Sequence, residues 1–190
     1  MRERFRIQVR LAPARPSFKQ MPETVPQYVQ RLQTYLGDRD PLRVQAATIA
    51  RIEKLLKGVP SSKMRKRPAP GKWSIAEILA HLADNELVRS YRIKSILGLP
   101  GTPIAAYDQD RRAESQDYSR RDPKISLRVL RVLRESDLAL LKSLRPEQWK
   151  QSGIHAERGK ESVESLVRIG AGHDLNHIMQ IEAILKARKP

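Results

Sequence analysis

Residues 162–188 read SVESLVRIGAGHDLNHIMQIEAILKAR. Ser162 stands where a helix N-cap belongs, and Leu166, Gly170, His173, His177, Ile181 and Ile184 follow at intervals of three or four. One helix, running from Ser162 to about Arg188, therefore carries all six on a single face. Two histidines interrupt a stripe that should be buried. Their spacing of four stacks the imidazoles one turn apart, where they can share a metal ion. A zinc protease helix of the HExxH type has Glu directly after the first His, as general base. Here Asp174 holds that place with a shorter side chain, so the protease reading is weak and Asp174 reads as an exposed helix residue.

Three further long helices are legible upstream. Ser74 and Glu77 form a capping box, with Trp73 placed to staple against Ile78, and the helix they open should run to about Leu97 before Gly98. Its inward stripe, Ile78, His81, Leu82, Asn85 and Val88, again contains a histidine. Asp40-Pro41 and Asp122-Pro123 each place an N-cap residue before proline at the first helical position. Leu42, Ile49, Ile52 and Leu56 line the first of these helices, which Gly58 ends. Leu127, Leu130, Leu133, Leu141 and Leu144 line the second. Val25 to Leu36 is a shorter helical candidate. The segments 98–121, 145–160 and 63–72 read as irregular links, because Pro, Gly and Asp break their periodicity. Long helices without alternating strands predict an all-α four-helix bundle.

Antiparallel packing of the second and fourth long helices would bring His81 to the His173/His177 pair as a third ligand. For His81 alone, a hydrogen-bonded core histidine stands beside that reading. Glu77 and Asp84 lie a turn away and are placed to orient its second ring nitrogen, unless they are simply a cap and a solvated side chain. His155 falls in a link that fixes no direction, which makes it a poorer ligand. Arg92 reads either as a contact for an anionic substrate or as a surface ion pair. Trp73 and Trp149 read as structural.

The chain has 190 residues, 37 Lys+Arg against 21 Asp+Glu, a net charge of +16 and no cysteine. That length suits one domain. Arg2, Arg4, Arg6, Arg10, Arg15 and Lys19 crowd a stretch with Glu3 as its one acid, and Met21 opens the patterned sequence. Residues 1–20 thus read as a basic, disordered or loosely packed N-terminal extension, and 21–190 as the bundle domain. Lys63, Arg65, Lys66, Arg67 and Lys72 make a second basic cluster, and Lys186, Arg188 and Lys189 a third. Such charge runs are usually solvated. No apolar run approaches the roughly 18 residues of a membrane span, and no signal peptide is evident, so the expectation is a cytoplasmic protein that does not enter membranes. The absence of cysteine excludes disulfide frameworks, thiolate metal sites and cysteine nucleophiles.

The runs RPAPGKWSIAEILAHLADNELVRSYR (67–92), YDQD (107–110), LRESDLALLKSL (133–144) and HAERGKESVESLVRIGAGHDLNHIMQIEAIL (155–185) together resemble the DinB-like superfamily, which includes bacillithiol S-transferases of the YfiT type and metal-dependent hydrolases. The resemblance spans about residue 24 to the C-terminus. It implies an antiparallel four-helix bundle, often a homodimer, that holds one divalent metal ion through three histidines matching His81, His173 and His177. Zinc and nickel are the leading metals that it implies. It further implies a metal-dependent enzyme, a thiol S-transferase or hydrolase, whose partner is a small-molecule thiol or another small substrate. With no cysteine in the chain, a thiol would have to come from a cosubstrate. The alternative is a non-catalytic metal-containing protein that binds DNA through its basic arm and loop.

Overall fold

The computed structural model describes residues 23–187; the basic extension at 1–20, and Arg188 and Lys189 of the tail, lie outside the described residues. The elements in chain order are α1 (Val25–Leu36), α2 (Pro41–Leu56), α3 (Ser61–Arg65), α4 (Ile75–Gly98), β1 (Pro103–Ile104), α5 (Gln109–Ser115), α6 (Pro123–Ser143), α7 (Pro146–Lys150), β2 (Ser152–His155), β3 (Gly159–Ser162) and α8 (Val163–Lys186). The starts follow the capping chemistry of the sequence. Asp40 accepts from the amides of Leu42 (2.8 Å) and Arg43 (3.0 Å), Asp122 from those of Lys124 and Ile125, and Ser162 from that of Ser165. Ser74 and Glu77 close both bonds of their capping box.

Four long helices, α2, α4, α6 and α8, form the bundle, with α1 laid against α8. Cross-contacts give the directions. His81 meets His173 whereas Arg89 lies beside Gly170, so α4 and α8 run antiparallel. Arg134 reaches Gln45 and Arg131 reaches Glu53, so α2 and α6 are antiparallel as well. The other adjacent pairs run in the same direction: Glu86 and Ser90 of α4 meet Arg134 and Asp137 of α6, and Gln45 and Arg51 of α2 meet Val167 and Glu182 of α8. Parallel neighbours that follow each other in sequence need a connection as long as the helix itself. The segment between Gly98 and Pro123 is that crossover.

Two segments read as irregular contain structure. The crossover carries β1 and α5, and 145–162 carries α7 and a hairpin. β1 pairs with β2 in parallel, Ile104 opposite His155, and β2 pairs with β3 antiparallel. Strands of two to four residues are too short for alternation to stand out. The basic stretch from Lys63 likewise begins inside α3.

Apolar side chains gather at the two ends of the bundle. One cluster joins Ile49, Ile52, Ile75, Ile78, Leu130 and Ile181; the other joins Ile93, Ile96, Leu141, Val163 and Leu166. Between them lies a polar belt containing His81, Glu86, Arg89, Arg134, His173, Asp174 and His177, all buried. Burying charge costs several kcal/mol per ion unless it is paired, and the charged members of the belt are paired: Arg134 with Glu86 and Asp174, and Arg89 with Glu86. α1 packs against α8 at Gly172, where an added Cβ would stand 2.2 Å from the Leu32 carbonyl oxygen. That neighbour is backbone and cannot swing aside. Gly172→Ala should therefore destabilise the fold by about 1–3 kcal/mol, read by urea unfolding, as overpacking in a close-packed interior does.

Candidate metal centre

α4 and α8 build the site. His81 follows Ile78 by three residues on the inward face of α4, and His173 and His177 occupy successive turns of α8, which is buried without a break from Gly170 to Ile178. The Nε2 atoms converge: that of His173 lies 2.9 Å from His81 Nε2 and 3.1 Å from His177 Nε2. All three residues are 5% exposed or less.

Hydrogen bonding alone does not account for this convergence. His173 Nε2 can carry one hydrogen, which serves one neighbour, and the remaining lone pairs then face each other without a proton between them. His177 Nδ1 lies 2.9 Å from Gln180 Oε1, which sets that nitrogen as the donor and leaves Nε2 as a free lone pair. Nε2 lone pairs turned toward one point suit a cation. Nitrogens at 2.0–2.1 Å from a tetrahedral ion would lie about 3.4 Å apart, a small adjustment from the observed spacings. The residues therefore fit one divalent ion. His81 Nδ1 and His173 Nδ1 are buried without a partner among the described residues.

Burial pushes all three imidazoles below the ordinary histidine value, His177 to about 4 and the other two well below 6.5; their mutual repulsion and the Arg89 and Arg134 charges add to this at His173. Neutral rings are the form that binds metal. Without metal, the unfolded chain binds more protons than the folded one once pH falls below about 6.5, so stability declines with acidification, for His177 down to about pH 4. Thermal melts of EDTA-treated protein between pH 7.5 and 5.0 should show a falling melting temperature, and His177→Gln should flatten the fall. A flat wild-type profile would contradict the burial of neutral imidazoles.

The histidines lie in the wall of a cavity of about 860 Å³, which Trp73, Tyr107 and Arg92 also line. The size suits a small-molecule ligand. The Trp73 ring centroid is 5.0 Å from that of His81 and Tyr107's is 6.1 Å away, so Trp73 serves the site as well as its helix start. The crossover supplies Tyr107, whose hydroxyl lies 3.4 Å from that of Tyr118.

Several expectations need correction. Asp174 is buried, not exposed: its carboxylate accepts from Arg134 at 2.7 and 3.2 Å and from Thr48 at 3.0 Å. Glu77 and Asp84 do not orient His81. Glu77 is taken by Arg67 and the Ser74 amide, and Asp84 by Tyr118 (2.7 Å) and Arg121 (2.8 Å). His155 does have a fixed direction, on β2, and its Nδ1 accepts from the Glu157 amide outside the cluster. Arg92 makes no carboxylate pair among the described residues and donates to the Ala105 carbonyl at the cavity. Along the basic stretch, Arg65 at the end of α3 donates to the Ser119 and Arg121 carbonyls, and Arg67 pairs with Glu77. Sequence reasoning missed Arg89 and the role of Gly170, because a contact between two helices leaves no trace in the periodicity of either. No helix among the described residues is long and apolar enough to cross a membrane.

Comparison with known proteins gives this arrangement a class. The sequence profile of the DinB superfamily matches residues 46–181, and the chain belongs to that superfamily. Among individual proteins it is similar to YfiT of Bacillus subtilis, named "putative metal-dependent hydrolase", at 27% identity over 70% of this chain and 75% of that one. A relative of the same designation from Oceanobacillus iheyensis is 28% identical over 62% of this chain and 68% of its own length. The solved structure of YfiT, described as a four-helix bundle of unusual topology, superposes with a TM-score of 0.70 at 22% identity, covering 92% of both chains. A mycothiol-dependent maleylpyruvate isomerase shares the fold at a TM-score of 0.62 and 13% identity, over 78% of this chain and 62% of that one.

Proposed function

We propose that the chain is a metal-dependent enzyme, a hydrolase or a thiol S-transferase, that acts through one divalent ion held by His81, His173 and His177. One observation carries this reading: three buried Nε2 atoms from two helices converge beside a cavity large enough for a small molecule. The designation of the relatives as metal-dependent hydrolases supports it. A divalent ion with three neutral protein ligands keeps an open position and supplies Lewis acidity, polarising a carbonyl or lowering the pKa of a water or thiol.

The chain's own residues set the rest. No carboxylate hydrogen-bonds to the three imidazoles among the described residues, so their charge does not dilute that of the ion. Burial pushes the Tyr107 hydroxyl above its usual value, so it stays protonated and able to donate to a substrate oxygen. Trp73 and Tyr107 wall the cluster with aromatic surface and limit water around the reacting atoms. With no cysteine in the chain, a transferred thiol comes from a cosubstrate.

Metal-replete protein offered a panel of esters and amides, with and without a small thiol and an electrophile, tests the reading. Turnover without thiol marks a hydrolase, turnover only with thiol marks a transferase, and no metal-dependent turnover in either arm contradicts the proposal. A homodimer finds support in an exposed apolar strip, Leu87 and Tyr91 on α4 with Val129 and Val132 on α6. Light scattering that returns the 21.8 kDa monomer mass would remove it.

A further inference from the structure

Arg89 is 6% exposed and lines the cavity. One end of its guanidinium pairs with Glu86, but Nη1 has no partner among the described residues. An unsatisfied buried guanidinium nitrogen forfeits the hydrogen bonds it had in water, so its placement calls for a reason. α8 makes room for it. A Cβ at Gly170 would stand 1.9 Å from Nη1 and 2.6 Å from Cζ, so Arg89 fills the notch left by the missing side chain. Arg92, one turn further along α4, lines the same cavity and has no carboxylate partner among the described residues.

Charge selects the ligand. In the belt, Arg89 and Arg134 face Glu86 and Asp174, two cations against two anions. Arg92 adds a cation beside them with no ion pair among the described residues, the neighbouring Arg158 being taken by Glu161, while Asp110 and Glu157 also line the cavity. A guanidinium at the cavity wall without a carboxylate partner suits an anionic group of the ligand. Guanidinium groups suit a planar carboxylate, and Arg89, seated against Gly170, keeps one nitrogen without a protein partner among the described residues.

Gly170 precedes His173 by three residues, about 4.5 Å of helix rise. Arg89 leans back toward the start of α4, as its pairing with Glu86 requires. We propose that Arg89 and Arg92, with Gly170 making room for the first, form an anion-binding subsite beside the three histidines, and that the substrate class carries a carboxylate roughly 6–10 Å from its reacting atom. The inference rests on the proposed metal site for the position of that atom.

The test compares 6-mercaptohexanoate with its neutral amide on cobalt(II)-loaded protein, where thiolate-to-cobalt absorption reports binding at the metal. The carboxylate should bind at least about tenfold tighter than the amide in 50 mM salt. Arg92→Gln should cut that preference to about twofold. Gly170→Ala, which evicts Arg89 without removing charge, should lower it as well. Should Gly170→Ala fail to fold, Arg89→Lys, which keeps the charge and loses the fork, takes its place. Equal affinity of carboxylate and amide for wild type overturns the subsite, as does an unchanged preference in Arg92→Gln. Inorganic phosphate competing more strongly than acetate overturns the choice of a carboxylate. A second arm, hexanoate against hexanamide on metal-free protein followed by tryptophan fluorescence in a Trp149→Phe background, which leaves Trp73 as the reporter, separates the two claims. A preference there without any cobalt–thiolate band leaves the subsite standing and removes the metal reading.

Discussion

His173→Ala should abolish stoichiometric metal binding, with a loss in affinity of a hundredfold or more, and with it any metal-dependent activity. The size follows from geometry. His173 Nε2 is the central atom of the three, 2.9 Å from one partner and 3.1 Å from the other, so its removal leaves His81 and His177 as two ligands from different helices. Perturbing groups that merely orient metal ligands already costs about 10–100-fold in affinity, and deleting a ligand costs more. The variant should still fold, since removing a buried imidazole whose Nδ1 is unpartnered takes away little hydrogen bonding. Circular dichroism and metal content measured on one preparation check both halves. Retained stoichiometric metal with wild-type affinity would refute the assignment of His173.

Arg134→Met should destabilise the fold by about 3–5 kcal/mol, the cost of breaking a buried ion pair from one side. Arg134 is 1% exposed. Its Nε and Nη2 donate to Glu86 at 2.8 and 2.9 Å, and Nη1 donates to Asp174 at 2.7 Å and to the Gln45 carbonyl at 2.9 Å. Methionine fills similar volume and leaves the Asp174 carboxylate with Thr48 alone and Glu86 with Arg89 alone. Because Asp174 follows His173 directly, the same change loosens the turn of α8 that carries two of the histidines. Burial by itself would raise the Glu86 pKa, but Arg89 and Arg134 hold it below the ordinary value. The stability this contributes is present above the unfolded carboxylate range near pH 4.5 and is lost as pH falls through the lower folded value. Urea unfolding of wild type and Arg134→Met at pH 7 measures the cost. A difference under about 1 kcal/mol would mean that the network is not the brace described.

The site was more legible in the sequence than the topology that builds it. His173 and His177 declare themselves because polar side chains at helical spacing in an apolar stripe are conspicuous. His81 stands out for the same reason on α4. Helix starts at Asp40, Ser74, Asp122 and Ser162 were equally readable, since a cap is a local interaction between neighbours in sequence. Chain direction was legible only for α4 against α8, whose antiparallel packing the three histidines suggested. The parallel pairing of α4 with α6 rests on contacts such as Ser90 with Asp137, and only the length of the crossover hinted at it. Asp174 was misread because an acidic residue after a histidine looks solvated until Arg134 is seen opposite. Arg89 in the notch of Gly170 could not be foreseen, for neither residue signals the other.

X-ray absorption of protein purified without a histidine tag tests the central claim most directly. The expected result is one divalent metal per chain, bonded to three imidazole nitrogens at about 2.0–2.1 Å if the ion is zinc. Metal below about a tenth of an equivalent after incubation with zinc or nickel, or a first shell with fewer than three imidazoles, would contradict it.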